Sequence, residues 1–489
     1  MVLWCPVVVL WLTAGLGAAA AIDVGDRREL FVDGYLIDAL SGVRLTLHEP
    51  RDEGVALRFD RPWEGPFCGY CTVLQDGERR LLYYRGKSTA VADGKGEVTC
   101  VAQSDDGIRW TRPRVGAIAF DGSLENNIIL KVDGPTHNFS PLIDRNPAAP
   151  TDRRFKAFGG TQRGGILAFA SPDGLAWKQF GDEPVLTFAM VKAALPAVTS
   201  MFDSQNLAFW SPTEGRYLAY FRVVKDKIRR IARAESDDFL HWTNIQMMEY
   251  RTFDGSPAPI EHLYTNQTHP YFRAPHLSIA LAARFMPGRQ VLSEEEARAI
   301  GVNPGYFKDT SDAVFMTTRG GAVYDRTFLS SFIRPGIGAN NWVSRTNYPA
   351  LGVIATGATE MSCYTNQDYA QPTSHLRRYA LRLDGFGSAH ADYAGGELVT
   401  RPLVFSGDRL TLNFATSAAG GIRVEIQDAE GRPIPGCTLA DGVEAIGNEL
   451  ERVVRWKARH DVSSLAGRPV RLRLVMKDAD LYAFRFARW

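Results

Sequence analysis

Ser104-Asp105-Asp106-Gly107-Ile108-Arg109-Trp110, Ser171-Pro172-Asp173-Gly174-Leu175-Ala176-Trp177 and Ser236-Asp237-Asp238-Phe239-Leu240-His241-Trp242 are three copies of one pattern, S-x-D-(G/F)-x-x-W. Two worn copies follow. Thr318-Arg319-Gly320-Gly321-Ala322-Val323-Tyr324 keeps the hydroxyl, the glycine and the closing aromatic, and Leu383-Asp384-Gly385-Phe386 keeps the Asp-Gly centre. Counted from Ser104, Ser171, Ser236, Thr318 and Arg382, the spacings are 67, 65, 82 and 64 residues. A fixed period of this kind is the mark of a repeat architecture and has to be read before any other feature. Asp-Gly suits a tight turn, because glycine accepts positive φ and the carboxylate bonds nearby backbone N–H groups, while the Trp packs the turn onto its sheet.

Working outward, the copies follow strand-like runs. Arg80-Leu81-Leu82-Tyr83-Tyr84, Arg154-Phe155-Lys156-Ala157-Phe158 and Arg216-Tyr217-Leu218-Ala219-Tyr220-Phe221 are rich in aromatic and apolar residues, and Leu277 to Ala283 is the matching run of the fourth unit. About 65 residues hold four short strands with their loops, so five units predict an all-β fold, a five-bladed β-propeller whose blades pack radially. The long third interval, in the fourth unit, contains Leu292-Ser293-Glu294-Glu295-Glu296-Ala297-Arg298, where Ser293 and Glu296 have capping-box spacing for a short inserted helix. From about 388 the turn signature stops. Leu403-Val404-Phe405, Leu410 to Phe414, Ile422 to Ile426 and Val470 to Val475 alternate with turns, which predicts a C-terminal β-sandwich over 388–489 and assigns 21–387 to the propeller.

The whole chain of 489 residues has room for more than one domain, and 56 Lys+Arg against 55 Asp+Glu leave a formal charge of +1. That balance offers no broad positive field for a phosphate backbone, which excludes nucleic acid as the expected partner. Residues 1–21 carry no charge, run apolar from Val2 to Leu12 and end on Ala18-Ala19-Ala20-Ala21. This reads as a signal peptide over 1–20, too short to span a bilayer, and predicts a secreted or periplasmic protein with no membrane span. Cleavage leaves Cys68, Cys71, Cys100, Cys363 and Cys437, an odd number too sparse for a disulfide scaffold. Cys68-Gly69-Tyr70-Cys71 has thioredoxin spacing but leads into a strand rather than a helix, so no redox role is expected.

The repeat, the appended β unit and the export signal together resemble the superfamily of glycoside hydrolase families 32 and 43, in which a five-bladed propeller carries the active site and a C-terminal β-sandwich often follows. Leu30-Phe31-Val32-Asp33-Gly34-Tyr35-Leu36-Ile37, Asp203-Ser204-Gln205-Asn206 and Tyr264-Thr265-Asn266-Gln267-Thr268 are similar to phrases of secreted propeller proteins of planctomycete-type bacteria. The Asn-Asp-Pro-Asn, Arg-Asp-Pro and Glu-Cys patterns of family 32 are not found, so the resemblance does not extend to fructan cleavage. It implies a secreted glycoside hydrolase acting on poly- or oligosaccharides, with a non-catalytic carbohydrate-binding propeller as the alternative.

In a propeller the segments that lead into the innermost strands converge on a central funnel. Here they are Trp63 to Phe67, Thr136 to Ser140, Met201 to Asn206, Glu261 to Asn266 and Ser344 to Tyr348. Glycoside hydrolysis needs two carboxyl groups flanking one bond, and three of these segments supply one: Glu64, Asp203 and Glu261 are the catalytic candidates. The family 43 pattern of a Glu acid, an Asp base and a second Asp that tunes the acid implies Glu261 as acid, Asp203 as base or nucleophile and Glu64 as the third group, with Asp60 its rival. Trp63 and Tyr264 suit stacking on a sugar face, Phe67 likewise. Asn138, Asn266, Arg345 and Asn347 suit hydroxyl recognition, and an anionic sugar raises the value of Arg345. His137 is a further sugar-binding candidate. No cofactor is required, although a structural calcium ion could sit on the funnel axis near His137, His262 or His269.

Overall fold

The structure is a computed structural model that describes residues 20–89 and 95–488. The leader expected over 1–20 lies almost wholly outside the described residues. No described helix is long and apolar enough to cross a membrane.

Five sheets, antiparallel but for one outer pair in blade four, form the five blades of the propeller. Blade one runs from its innermost strand Gly69–Asp76 through Arg79–Lys87 and Glu97–Ser104 to Ile128–Leu130. Blade two follows with Ser140–Ile143, Phe155–Thr161, Gly165–Ser171 and Lys178–Gln179. Blade three has two inner pieces, Val198–Met201 and Leu207–Ser211, on Arg216–Lys225, Ile228–Ser236 and Thr243–Met247. Blade four is built on Thr268–Tyr271, Ala274–Met286 and Thr310–Thr318, and the expected helix, Glu294–Ala299, is inserted between its second and third strands. The capping box is present: Ser293 Oγ accepts from Glu296 N at 3.2 Å and Glu296 Oε2 accepts from Ser293 N at 2.8 Å. Blade five pairs Glu360–Gln367 and His375–Arg382 with Arg51–Arg58, so a strand from the start of the chain closes the ring.

The repeated signature closes the third strand of each blade, and in the three full copies its chemistry repeats atom for atom. Ser104, Ser171 and Ser236 Oγ accept from the N–H three residues on at 2.8, 2.9 and 2.9 Å, and Asp106, Asp173 and Asp238 Oδ1 accept two more backbone N–H groups each. The turn needs positive φ at its centre: Gly107 has φ 74 and Gly174 φ 80. A Cβ at Gly174 would lie 2.5 Å from the Tyr83 hydroxyl, which itself donates to Gly174 O at 3.0 Å from the neighbouring blade. Tyr364 of blade five donates to Gly107 O in the same way. Blade two presents Phe158 where blade one presents Tyr83, and facing it the turn carries Phe239 at φ 73, buried, with ring centroids 5.1 Å apart. The turns are therefore clasps between blades.

The C-terminal strands form a ten-strand unit around one hydrophobic core. The long strand Val470–Ala487 takes Arg409–Asp428 along one edge and, on the other, Leu403–Phe405, Gly396–Thr400, Gly387–Ala391 and Arg28–Leu30 in succession. The expected start of the propeller at residue 21 needs correction here. Ile22–Gly25, Arg28–Leu30, Ile37–Ser41 and Val43–Leu47 pair with strands beyond residue 387, because their alternate apolar residues complete that core. The Leu30 to Ile37 phrase serves the seam between the two units. Arg319 Nε donates to Asp33 Oδ2 at 2.8 Å and its Nη1 to Glu29 Oε2 at 2.8 Å. The fifth signature Asp, Asp384, is buried between Tyr271, Arg273 and Asn413 at 2.8, 2.9 and 2.9 Å.

Candidate functional site

The innermost strands stand around an axis that two glutamines close. Gln205, between the inner pieces of blade three, donates to Thr72 Oγ1 of blade one at 2.8 Å, and Gln267 of blade four donates to Gln205 Oε1 and to Pro349 O of blade five, both at 2.7 Å. These contacts are buried and hold both side-chain amide N–H groups. They divide the channel. On one side lies a wider, mostly apolar mouth of about 460 Å³ lined by Leu142, Phe209, His269 and Leu351 among others, and on the other a smaller polar pocket of about 190 Å³.

All five blades reach the polar pocket. Blade one contributes Phe67, Tyr70, Arg85, Lys87 and Glu97, the lead-in to blade two His137, and blade three Asp203. Tyr264 comes from the lead-in to blade four, Tyr306 from the chain that carries the inserted helix, and Arg345, Tyr348, Asn366 and Tyr369 from blade five and its flanks. The backbone is bent into the left-handed region at Tyr70 (φ 50), Phe202 (φ 63), Gln267 (φ 46) and Arg345 (φ 60), in or beside the segments that lead into four of the blades. Such strain in bulky residues clusters where a fold holds a site.

Two carboxylates lie in the pocket, joined by one imidazole. His137 Nδ1 is 2.9 Å from Glu97 Oε2, so Nδ1 carries a proton toward that carboxylate, and Nε2 lies 3.8 Å from Asp203 Oδ1. Arg85 Nη1 is 3.7 Å from Glu97, and Arg222 Nη2 donates to Asp203 Oδ2 at 2.8 Å. Burial pushes the Asp203 carboxyl upward, but Arg222, His137 and Arg345 outweigh it and hold the group below the usual carboxylate range. Glu97 behaves alike: burial raises it, and His137, Arg85 and Lys87 bring it lower. Both are therefore ionised at neutral pH. Asp203 keeps 59% of its side chain exposed within the funnel, whereas Glu97 keeps 6%. Burial raises the Tyr70, Tyr348 and Tyr369 phenols, which stay neutral.

Of the three carboxylates expected to meet, the pocket holds only Asp203. Glu64 is buried on the far side of blade one, where Oε1 accepts from Tyr84 at 2.5 Å and from Arg112 Nε at 2.8 Å. Asp60, its rival, lies exposed beside Arg112. Glu261 bonds Arg284 and Arg326 at 3.1 and 3.0 Å in a separate cleft lined by Asp312, Arg334 and Trp342. In both cases arginines from elsewhere in the chain hold the carboxylate away from the pocket: Arg112 for Glu64, and Arg284 with Arg326 for Glu261.

His137, Tyr264 and Arg345 line the pocket, with Phe67. Trp63 does not: its Nε1 donates to Asn127 Oδ1 at 2.7 Å. The three asparagines are buried brackets rather than pocket walls. Asn138 ties Gly160 to Phe202 and Ser204, Asn266 caps Thr268, and Asn347 donates to Ser311 O and Asn341 O. Sequence reasoning missed Tyr70, Arg85, Lys87, Glu97, Arg222, Tyr306, Tyr348, Asn366 and Tyr369, which lie on strands, on the turn after Gln367 and on the insertion. A signal existed for two of them, since Tyr83-Tyr84-Arg85 and Tyr220-Phe221-Arg222 each place an arginine after a pair of aromatic residues in the corresponding strands of blades one and three.

Among the described residues no cluster of three or more His, Cys, Asp or Glu is placed to hold a metal ion. His262 only accepts weakly from Arg229 N at 3.4 Å, and burial lowers His269 to about 4, so it is neutral. Cys68, Cys71, Cys100, Cys363 and Cys437 are all free and buried, and burial pushes the Cys71 thiol up to about 12.

No family model matches the chain, and no curated protein matches it. Among solved structures it is similar to a putative glycosidase from Bacteroides thetaiotaomicron (TM-score 0.40, 15% identity, 68% of this chain and 93% of that one). It is also similar to a fructofuranosidase variant from Schwanniomyces occidentalis complexed with fructosylnystose (0.40, 10%, 91% and 99%). A third is an N-acetylgalactosamine deacetylase from F. plautii in complex with blood group B trisaccharide (0.41, 10%, 71% and 97%). Likenesses this distant assign no activity to the chain.

Proposed function

We propose that the protein is an exported glycoside hydrolase that removes a terminal sugar, with Asp203 and His137 as its reacting groups. The observation that carries this reading is the Glu97–His137–Asp203 line inside a blind pocket walled by tyrosines. A cavity of about 190 Å³ closed by Gln205 and Gln267 is smaller than the few hundred Å³ of a typical small-molecule site, so it takes one ring rather than a continuous chain. The aromatic walls suit the apolar face of that ring.

Glu97 fixes the imidazole with Nε2 toward the pocket, and a protonated His137 at that place is the acid that gives its proton to the glycosidic oxygen. Ionised Asp203 faces the positive charge that develops at the anomeric carbon. The bond from the anomeric carbon to the glycosidic oxygen breaks, the leaving alcohol keeps the His137 proton, and a water entering from the open side adds to the anomeric carbon and gives a proton to Asp203. In this scheme an imidazole stands where two-carboxylate enzymes place their acid, and Arg222 keeps Asp203 charged. Non-catalytic carbohydrate binding is the second reading, favoured by the low position of both pocket carboxyls, neither of which is kept protonated as an acid.

The test is release of sugar from a panel of plant, algal and host glycans by the protein and by Asp203→Asn and His137→Gln. Hydrolysis predicts a loss of about 10²–10⁴-fold in either variant with the fold intact. Full activity in both variants rejects the assignment, and binding without release by the unaltered protein supports the binding module. Export is proposed from residues 1–21, and recovery of the mature chain outside the cytoplasm with an N-terminus near Ala21 tests it.

A further inference from the structure

Four cations, Arg85, Lys87, Arg222 and Arg345, stand in or against the pocket, which holds two anions, Glu97 and Asp203. The anions are already served. Glu97 has His137 and Arg85, and Asp203 has Arg222. Arg345 is left over. Its guanidinium lies 4.8 Å from the centroid of the Tyr306 ring and 5.5 Å from that of Tyr264, and it makes no hydrogen bond and no ion pair with any described residue. Its Nε is buried without a partner, and so is the hydroxyl of Tyr348 on the same wall. Tyrosine faces attract a cation, but they leave its N–H groups unbonded, and Asp203, which Arg222 engages directly, acts on it only through space. The loop holds this arginine in place at φ 60, a conformation unfavourable for a side chain of that size.

We propose that the pocket is built for a sugar that carries an acidic substituent, a uronate carboxylate or a sulfate ester, and that Arg345 and the Tyr348 hydroxyl hold that group. This deepens the hydrolase reading and rests on it. A guanidinium offers two parallel N–H donors to the two oxygens of such a group, and the buried phenol offers a third. The acidic group on the Arg345 wall leaves the ring between it and the Asp203–His137 wall, where the like charge of Asp203 orients the sugar with its acidic end away.

Binding can be read apart from cleavage. Isothermal titration of the whole protein with methyl glucuronide, methyl galacturonide, methyl galactoside 6-sulfate and the neutral methyl glucoside and methyl galactoside compares the two acidic sources with their uncharged counterparts. The proposal predicts at least tenfold tighter binding of one acidic ligand than of its neutral counterpart. It also predicts that 0.5 M NaCl weakens that preference, Arg345→Gln abolishes it and Arg345→Lys keeps part of it. A uronide preference assigns a carboxylate, and a 6-sulfate preference assigns a sulfate ester. Equal binding of acidic and neutral sugars, no binding of any acidic ligand, or a preference that survives Arg345→Gln in a folded protein overturns it. Arg345-dependent binding without release of sugar from any glycan leaves this inference standing and removes the hydrolase reading. Release of neutral sugars that is indifferent to Arg345 does the reverse.

Discussion

Replacing Gly174 by alanine is expected to loosen blade two from blade one, because the glycine is required twice. At φ 80 an added Cβ meets the backbone penalty of the left-handed region, about 1–2 kcal/mol. That Cβ would also stand 2.5 Å from the Tyr83 hydroxyl, with Phe155 and Leu81 carbons at 3.2 and 3.3 Å. Tyr83 is fully buried and cannot swing aside without repacking, a cost of about 1–3 kcal/mol. Together Gly174→Ala should lower stability by about 2–5 kcal/mol in urea unfolding followed by tryptophan fluorescence. Tyr83→Phe alone should cost only about 0.5–1.5 kcal/mol, since Trp177 Nε1 still donates to Gly174 O at 2.9 Å. The double variant removes the nearest obstacle and keeps the backbone penalty, so it should be more stable than additivity predicts by about 1–2 kcal/mol. The pairing of Phe158 with Phe239 at φ 73 is the natural version of that relief. A Gly174→Ala protein within 0.5 kcal/mol of the parent, or strict additivity in the double variant, would refute the clasp.

Two further outcomes test the placement of charges. Glu64→Gln should leave catalysis unchanged within about twofold but cost roughly 1–3 kcal/mol of stability, because it leaves the buried side of Arg112 without its carboxylate; a large loss of activity in a folded variant would return Glu64 to the site. Glu29 at the seam between the two units is raised by burial but brought down to about 2 by His276, Arg319 and Arg27, from an ordinary 4.5. A carboxyl with a depressed folded value contributes its stability above pH 4.5 and loses it as pH falls toward 2, here about 3 kcal/mol. Glu29→Gln should therefore flatten the acid limb of stability between pH 5 and about 2, and an unchanged limb in pH-stepped thermal unfolding would contradict the seam.

What the residues determined by themselves was local and periodic. The Ser-x-Asp-Gly/Phe turn writes its own hydrogen bonds within seven residues, so three full and two worn copies, evenly spaced but for one long interval, announced five blades, and the Ser293–Glu296 box announced the inserted helix. The site was partly legible for the same reason: His137, Asp203, Tyr264 and Arg345 sit at equivalent points of successive units. What only tertiary structure decided was where carboxylates end up. Asp203, Glu64 and Glu261 look alike in their segments, and the difference lies in arginines that arrive from 19 to 65 residues away. Arg112 turns Glu64 away from the axis, Arg284 and Arg326 hold Glu261 in another cleft, and Arg222 leaves Asp203 facing the pocket. Strands 22–47 joined the distant C-terminal unit on similar grounds. Pairing across hundreds of residues is chosen by which edge and which core remain unfilled, and that is a property of the folded whole rather than of any stretch of chain.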